Sequence, residues 1–304
     1  MLDGYRMSLR LRPAAALIAL SSFVWVAAAP ASAEAQRRRR AEWEPKAMGH
    51  RVGLDVDIWS TSPATITAWT VFVQARLPAD VHLDFEVPWA YGSFEVPTLG
   101  TTRTERQGQA TFGNPTFGAH WAHMLGDAAG FHVGGSFSIA TLYSPAFTPA
   151  LTAAAAALVR AGYDMHRNVP QAFAPRIFAG IEACPVSWLI LRTELVPTFL
   201  VPTEGNADAA VVLAQGNEVE ARTESGAGVG MRMQEAFFLS GDLGRGDRVQ
   251  TAAEAFVGYE PMRDPSGWET FARVGLLVAL DPELGWGFDD GKLRTVKLEV
   301  GGKF

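Results

Sequence analysis

The sequence predicts an all-β protein, a transmembrane antiparallel up-and-down barrel of about twelve strands, on three observations. Apolar and polar residues alternate through most of the chain, the alternating segments run to about ten residues, and aromatic residues collect near their ends. The chain of 304 residues is 48% hydrophobic, with nine Trp, eighteen Phe and thirty Gly. Beyond the first thirty-odd residues, however, no apolar run approaches the roughly 20 residues that a helical span needs. Hydrophobicity is therefore spread in alternation. The net charge of −6 is mild and its two signs are interspersed, which argues against a nucleic-acid partner. A single cysteine, Cys184, rules out an internal disulfide and reads as a small buried filler.

Residues 1–33 divide into a basic stretch (Arg6, Arg10, Arg12), an apolar stretch (AAALIALSSFVWVAAA) and the small-residue site Ala31-Ser32-Ala33. This is the layout of a cleaved secretory signal. Met7 offers an alternative start, and export follows from either. No cysteine lies near the cleavage site, so nothing marks a lipoprotein. Residues 34–49 then form a periplasmic leader whose Arg37–Arg40 run reads as a solvated tail, and residues 50–304 form the barrel.

In VHLDFEVPWAY, the side chains of Val81, Leu83, Phe85, Val87 and Trp89 share one face, while His82, Asp84 and Glu86 share the other, because successive strand residues point to opposite faces. The same alternation recurs in RVGLDVDI, TAWTVFVQARL, PRIFAGIEA, WLILRTEL, GAGVGMRMQ and ETFARVGLLVAL. Strands are expected to start near residues 50, 66, 80, 110, 129, 171, 187, 207, 223, 249, 268 and 292. Trp59, Trp69, Trp89, Tyr91, Trp121, Trp188, Tyr259 and Trp268 are assigned to the interfacial girdles. The turns LPAD, LGDAAG and CPVS are short, whereas residues 92–109 and 144–170 form long loops, the asymmetry between periplasmic and outer ends of such barrels. Within the second long loop, LTAAAAALVRAGYDMHR predicts a helix of about four turns, read as a decoration of an outer loop in preference to an insert in the lumen. The last strand, KLRTVKLEVGGKF, places Val296, Leu298, Val300 and Phe304 in one phase. A terminal Phe on an amphipathic strand resembles the insertion signal read by the bacterial barrel-assembly machinery. That machinery and the outer-membrane lipids are therefore the expected partners.

Two stretches go beyond architecture: HLDFEVPWAYGSF followed by FGNPTFGAHWAHMLGD, and the closing run from FVGYEP to the end. They resemble the channel family of meta-cleavage phenol and toluene degradation, which is loosely related to the long-chain fatty acid channels. The resemblance implies a small barrel associated with passage of small, often apolar molecules. The fatty acid channels place a plug of some tens of residues before their first strand. Here only the residues between Ala33 and Arg51 are available, so that device is not carried over.

With the apolar phase facing lipid, the candidate lumen-lining residues are Asp55, Asp57, Arg76, His82, Asp84, Glu86, His120, His132, Arg176, Glu182, Arg192, Glu194, Arg232, Glu254 and Arg273, joined by Lys297 and Glu299. Both signs occur, so ion-pair ladders between strands are expected. Phe72, Phe178, Phe256 and Phe271 share the inward phase, either as a stripe for apolar solutes or as cavity filling. His120 and His132, on strands joined by LGDAAG, are expected close to opposite each other, but two imidazoles with no third ligand do not make a metal site. Ser136 and Ser138 share the phase of His132, yet no acid or amide at fitting spacing orients that imidazole for catalysis. The Gly226–Gly230 run continues into strand alternation and lacks the helix a nucleotide-binding loop needs.

The sequence thus reads as an exported outer-membrane channel or passive transporter for small molecules, apolar ones among them, without enzymatic activity, cofactor or metal. The alternative is a non-conducting barrel acting as a structural or surface-interaction protein through its long loops, and a third reading is a barrel hydrolase. A charge at lipid-facing Leu83 is expected to cost more than one at inward Gly134.

Overall fold

The protein is described here by a computed structural model covering residues 45–60, 64–97, 104–141, 147–160, 162–204, 208–223, 225–240, 248–261, 267–280 and 294–304. The signal segment and the Arg37–Arg40 run lie outside the described residues. Thirteen strands follow in order: β1 (Arg51–Ser60), β2 (Ala64–Arg76), β3 (Val81–Pro97), β4 (Thr104–Phe112), β5 (Thr116–Met124), β6 (Ala129–Ser138), β7 (Ala172–Val186), β8 (Leu189–Pro202), β9 (Ala210–Arg222), β10 (Ala227–Phe238), β11 (Val249–Tyr259), β12 (Glu269–Ala279) and β13 (Arg294–Lys303). Among the described residues one α-helix, α1 (Phe147–Leu158), lies between β6 and β7.

Neighbouring strands pair antiparallel all the way round, and β13 closes on β1 from Arg51↔Lys303 to Trp59↔Thr295. Closure leaves the wall without a sheet edge except along β4, which pairs with β3 alone, so the other strands find backbone partners on both sides without water, as a membrane requires. The thirteen strands fill twelve barrel positions. The lower half of β3 pairs with β5 and its upper half with β4, so β4 and β5 are two parts of one staff, broken at Gly113-Asn114-Pro115. Proline cannot donate to a ladder, and one stands on each side of the break, Pro88 and Pro115. Residues 92–109, expected as a loop, are mostly strand: β3 and β4 rise as a hairpin with register Gly92↔Gln109 to Pro97↔Thr104. The alternating run over GSFEVP was strand signal, and the turn chemistry around Pro97 masked it.

The outward phase is apolar in every quarter of the wall, with Val133, Leu195, Met231, Val274 and Val300 among its exposed residues. Trp69 and Trp89 stack on the outside with ring centroids 6.1 Å apart, and Trp121, Trp188 and Trp268 lie exposed near strand ends. Trp59 does not belong to this girdle. It is in phase with Asp55 and Asp57, is 3% exposed, and packs inside the barrel against Ile66, Ala68, Ala155, Ala156 and Val159.

That contact overturns the expectation of an external helix. The Ala-rich α1 is folded into the outer half of the lumen, where Ala153 is fully buried and Val159 almost so. The reason lies in the facing wall. The inward residues of the upper strands are small or apolar, Ala68, Ala90, Ala252, Leu277 and Ala279 around one side of the helix and Ala174, Leu200, Val212, Ala236 and Phe238 around the other. A ring of this composition in contact with water would leave a large apolar surface uncovered, and a helix of alanines is slim enough to fill it.

A second expectation fails at Gly134. A Cβ there would stand 2.4 Å from the Ala119 carbonyl oxygen and 2.5 Å from the His120 Cβ, so the inward face at this point has no room for a side chain. Leu83, in turn, lies two residues from the start of β3, near the water interface, whereas Val274 occupies the middle of β12. Val274→Arg is therefore expected to lower stability by about 2–4 kcal/mol, and Leu83→Arg by only about 0–1 kcal/mol, in denaturant titrations in lipid vesicles. Gly134→Asp, in the same assay, is expected to be more harmful than Leu83→Arg.

Candidate functional site

The lumen is divided into layers. At the outer end, α1 and the residues after it form a plug. Below the apolar packing around α1, the plug carries its own charges, and each meets the wall. The Arg160 guanidinium donates to Asp57 Oδ2 at 2.7 Å and Asp55 Oδ2 at 3.3 Å, both on β1, and to Asp164 Oδ2 at 2.6 Å. Arg167 forms a two-bond fork with Glu86 of β3, Nε to Oε2 at 2.9 Å and Nη2 to Oε1 at 2.8 Å. The Tyr163 hydroxyl donates to Glu194 Oε2 at 3.1 Å. Asn114, fully buried in the β4–β5 break, donates through Nδ2 to the carbonyls of His166 and Val169, while its backbone N–H donates to the Arg167 carbonyl. The interruption in the staff is thus where the wall hands its hydrogen bonds to the plug. Burial raises the Asp164 carboxyl, but Arg167 and Arg160 outweigh it and hold the group well below the usual carboxylate range.

Beneath the plug lies a chamber of about 390 Å³. On one side of it, a chain of ion pairs spans β7 to β13 with members on six of these seven strands: Glu182 to Arg192 Nε at 2.9 Å, Arg192 to Glu218, Glu218 to Arg273 at 3.0 Å, Arg273 to Glu254 at 3.3 Å, and Glu254 to Lys297 at 2.7 Å. Each carboxylate has a cation on the next staff or the one beyond, so the charges are compensated without water.

The floor comes from the leader. Residues 45–49, expected as part of a periplasmic tail, fold across the inner mouth. Gln74 donates to the carbonyls of Lys46 and Gly49 at 3.0 and 2.7 Å, the Lys46 N–H donates to Glu182, and the Ala47 carbonyl accepts from His120 Nε2 at 2.8 Å. Both nitrogens of His120 face acceptors, so the two bonds form together only in the imidazolium form, whose charge the Asp84 carboxylate at 2.6 Å compensates.

The sequence-derived residues fall into place as follows. Asp55, Asp57 and Glu86 hold the plug, and Glu182, Arg192, Glu254, Arg273 and Lys297 form the ladder, with Glu299 at 3.6 Å from Arg51. Arg176 and Arg232 line the chamber. Arg76 does not: it sits at the end of β2, a third exposed, paired with Asp80 in the turn. His82 is fully buried and stacked face to face on His120 at 4.8 Å, because His82 and His120 are the opposed pair of β3 and β5. His132 stands opposite Ala122, so it reaches His120 only diagonally, at 6.0 Å between ring centroids. The two imidazoles expected to face one another are therefore one register step apart. Among the described residues no three His, Cys, Asp or Glu side chains are placed to hold a metal. Ser136 Oγ is buried without a hydrogen-bond partner among them, and Ser138 is bonded to Thr116 at 2.8 Å, so neither hydroxyl meets an imidazole. The four inward phenylalanines divide: Phe72 and Phe178 border the chamber, while Phe256 and Phe271 lie beneath the guanidiniums of Arg273 and Arg51 at 3.3 and 4.2 Å. Phe304 is sandwiched between His50 and Trp268, with centroids 5.2 and 5.3 Å away.

The sequence reading missed Arg160, Tyr163, Asp164, His166 and Arg167. Their signal was available, since five titratable residues within eight positions follow an Ala-rich helix whose surroundings would otherwise be solvent.

No protein-family model matches the sequence, and no curated protein matches it. Among solved structures, the chain superposes on an outer membrane channel from Pseudomonas putida F1 with a TM-score of 0.54 and 8% identity, covering 86% of this chain and 100% of that one. The two share the fold of a closed antiparallel β-barrel. The NanC porin gives a TM-score of 0.50 at 9% identity over 83% of this chain and 98% of its own. At such identities the likeness is one of fold, and it agrees with the resemblance drawn from the sequence. Together with the apolar exterior, it places the barrel in the lipid of an outer membrane.

Two outcomes follow from the plug. Arg160→Ala leaves Asp57 buried without its cation and Asp55 with Arg167 at 3.9 Å, and is expected to destabilise the folded barrel by about 3–5 kcal/mol in denaturant titrations. The second concerns His166, whose Nε2 accepts from Arg176 Nη1 at 2.8 Å and which is therefore neutral when the plug is docked. Burial, and after it the Arg176 guanidinium, push this imidazole down from 6.5 to about 4, against the opposing pull of Glu86 and Asp164. A lowered value means that its contribution to docking is complete above 6.5 and is lost as pH falls towards about 4. Thermal stability, followed by heat-modifiable gel mobility, is expected to decline over that window, and His166→Gln, which keeps an acceptor but cannot titrate, is expected to flatten the decline.

Proposed function

We propose that this protein is an outer-membrane channel for small molecules, held closed in the present conformation by its β6–β7 plug. The observation that carries the reading is the chamber: a cavity of about 390 Å³, lined by charged side chains from strands on all sides, whose outer exit is stopped by one segment of chain, not by the wall. Cavities of roughly 300–1,000 Å³ suit small molecules, and a few polar groups beside aromatic surface, here Phe72 and Phe178, favour solutes of mixed character. The plug has the build of a displaceable part. Its helix meets the wall mostly through alanines, which lose no side-chain entropy on docking and interlock little, and its fixed points are the Arg160 and Arg167 ion pairs. No reacting group is assigned, and the protein is read as non-enzymatic. The aromatic sandwich of Phe304 gives the barrel-assembly machinery a defined end to the last strand.

A second reading is a permanently closed barrel that acts through its surface. The dry packing around α1 favours it, because three apolar clusters seal the outer half of the lumen. Planar-bilayer recording of the refolded chain separates the two. The channel reading expects rare, small openings from the native protein and large, stable steps from a variant lacking residues 147–160. A folded deletion variant that stays silent would establish the closed barrel instead.

A further inference from the structure

We infer that the chamber contains a binding site for the carboxylate group of a small organic acid, formed by Arg176 and Ser136 with Arg232 contributing positive charge. The inference rests on the channel reading for its biological setting and names the class of solute.

Nine cationic and eight carboxylate side chains line the chamber. All eight carboxylates have a cation, an imidazole or a hydroxyl close by, whereas three of the lining cations, Lys46, Arg176 and Arg232, have no carboxylate within 4 Å among the described residues. Lys46 lies in the field of Glu218, Glu220, Glu260 and Glu299. Arg232 lies over the face of Tyr163, 5.0 Å from the ring centroid. Arg176 is the least satisfied. It spends Nη1 on neutral His166, and its Nε is buried with no hydrogen bond, so the Nε–Nη2 edge carries no acceptor among the described residues. The acids within its field are engaged elsewhere: Asp164 with Arg160 and Arg167, Glu194 with Tyr163 and His132.

A second orphan stands beside the first. Ser136 on β6 is the register partner of Arg176 on β7, and its Oγ is also buried and unpartnered. Directly opposed residues hold their Cβ atoms about 4.5–5.5 Å apart, so the hydroxyl and the open guanidinium edge are neighbours on one wall. Two adjacent donors left without acceptors in a low-dielectric site are costly unless something supplies the acceptors. A carboxylate does so completely: its two oxygens match the parallel N–H pair of the guanidinium edge, and a remaining lone pair accepts from the serine. It also brings the lining to nine charges of each sign. A cation finds no equivalent, since every acid in the chamber is already engaged. Phe178, two residues along the same face of β7, offers apolar surface for the body of such a molecule.

The test uses the full-length mature chain, refolded in detergent, with benzoate as the acid, and benzyl alcohol and benzylamine as its neutral and cationic counterparts, in isothermal titration calorimetry. Native protein and Arg160→Ala, whose outer seal is loosened, are both titrated so that a closed entrance does not hide the site. Benzoate is expected to bind at least tenfold tighter than either counterpart. Arg176→Gln is expected to weaken it by at least tenfold, Ser136→Ala by severalfold, and Arg232→Gln by less than Arg176→Gln, with gel mobility confirming that each variant is folded. Equal affinities for the three compounds, or benzoate affinity indifferent to Arg176→Gln, would overturn the inference, as would no binding to Arg160→Ala. These results are separable from the fate of the channel reading: acid binding by a barrel that never conducts refutes only the channel, and conduction without acid binding refutes only the site.

Discussion

Asp55, Asp57 and Asp164 converge on the guanidinium of Arg160, and the arrangement of the interior follows from that convergence. Two of these acids belong to the first strand and the third to the plug, so the cation between them fixes where the inserted segment stops. Above that point the lumen is apolar and dry, and below it the walls turn polar. A charge cluster at the boundary gives a register to a helix that its own alanines could not define, because a smooth apolar contact allows sliding and rotation at little cost. Buried ion pairs contribute little net stability but penalise every misplacement that separates them, and here they act as locators.

The same logic, read downward, explains why the chamber keeps its shape. Its ladder from Glu182 to Lys297 crosses the strands in the direction in which a thin barrel is easiest to flatten, and the leader, bonded to Gln74, His120 and Glu182, braces the opposite arc. A barrel wall of twelve staves gets rigidity from backbone hydrogen bonds along its circumference, but side chains across the lumen decide its cross-section. Resistance to collapse and selectivity for solutes are thus properties of the same residues.

The wall was almost wholly legible in the sequence, and the contents of the lumen were not. Period-two alternation fixes strand phase, which is why Asp84, Glu86, Arg192 and Glu254 could be assigned an inward direction from spacing alone. Spacing carries no depth and no pairing, so it could not show that Leu83 lies near the interface, that His82 and not His132 opposes His120, or that Arg76 faces its own turn. Trp59 was misread because a tryptophan at the end of a strand is consistent with a girdle, and only the apolar character of its inward neighbours, Ile66 and Ala68, separates the two cases. The inserted helix was the largest miss. Local sequence specifies that LTAAAAAL is helical, but where a helix goes depends on which surface is left uncovered, and that surface is assembled from strands far apart in the chain.

The plug touches both strands that meet where the barrel closes. Arg160 is held by β1, and the neighbouring Val159 carbonyl accepts from Thr295 of β13 at 2.6 Å, one of the last pairs along the β1–β13 ladder. A segment from the middle of the chain therefore works as a clasp across the junction of its two ends. When that segment leaves the lumen, Asp57 and Thr295, at the outer end of the seam, lose a partner on both of its strands together. Displacement of the plug therefore loads the seam at which the cylinder closes, and the two are coupled through the same pair of side chains.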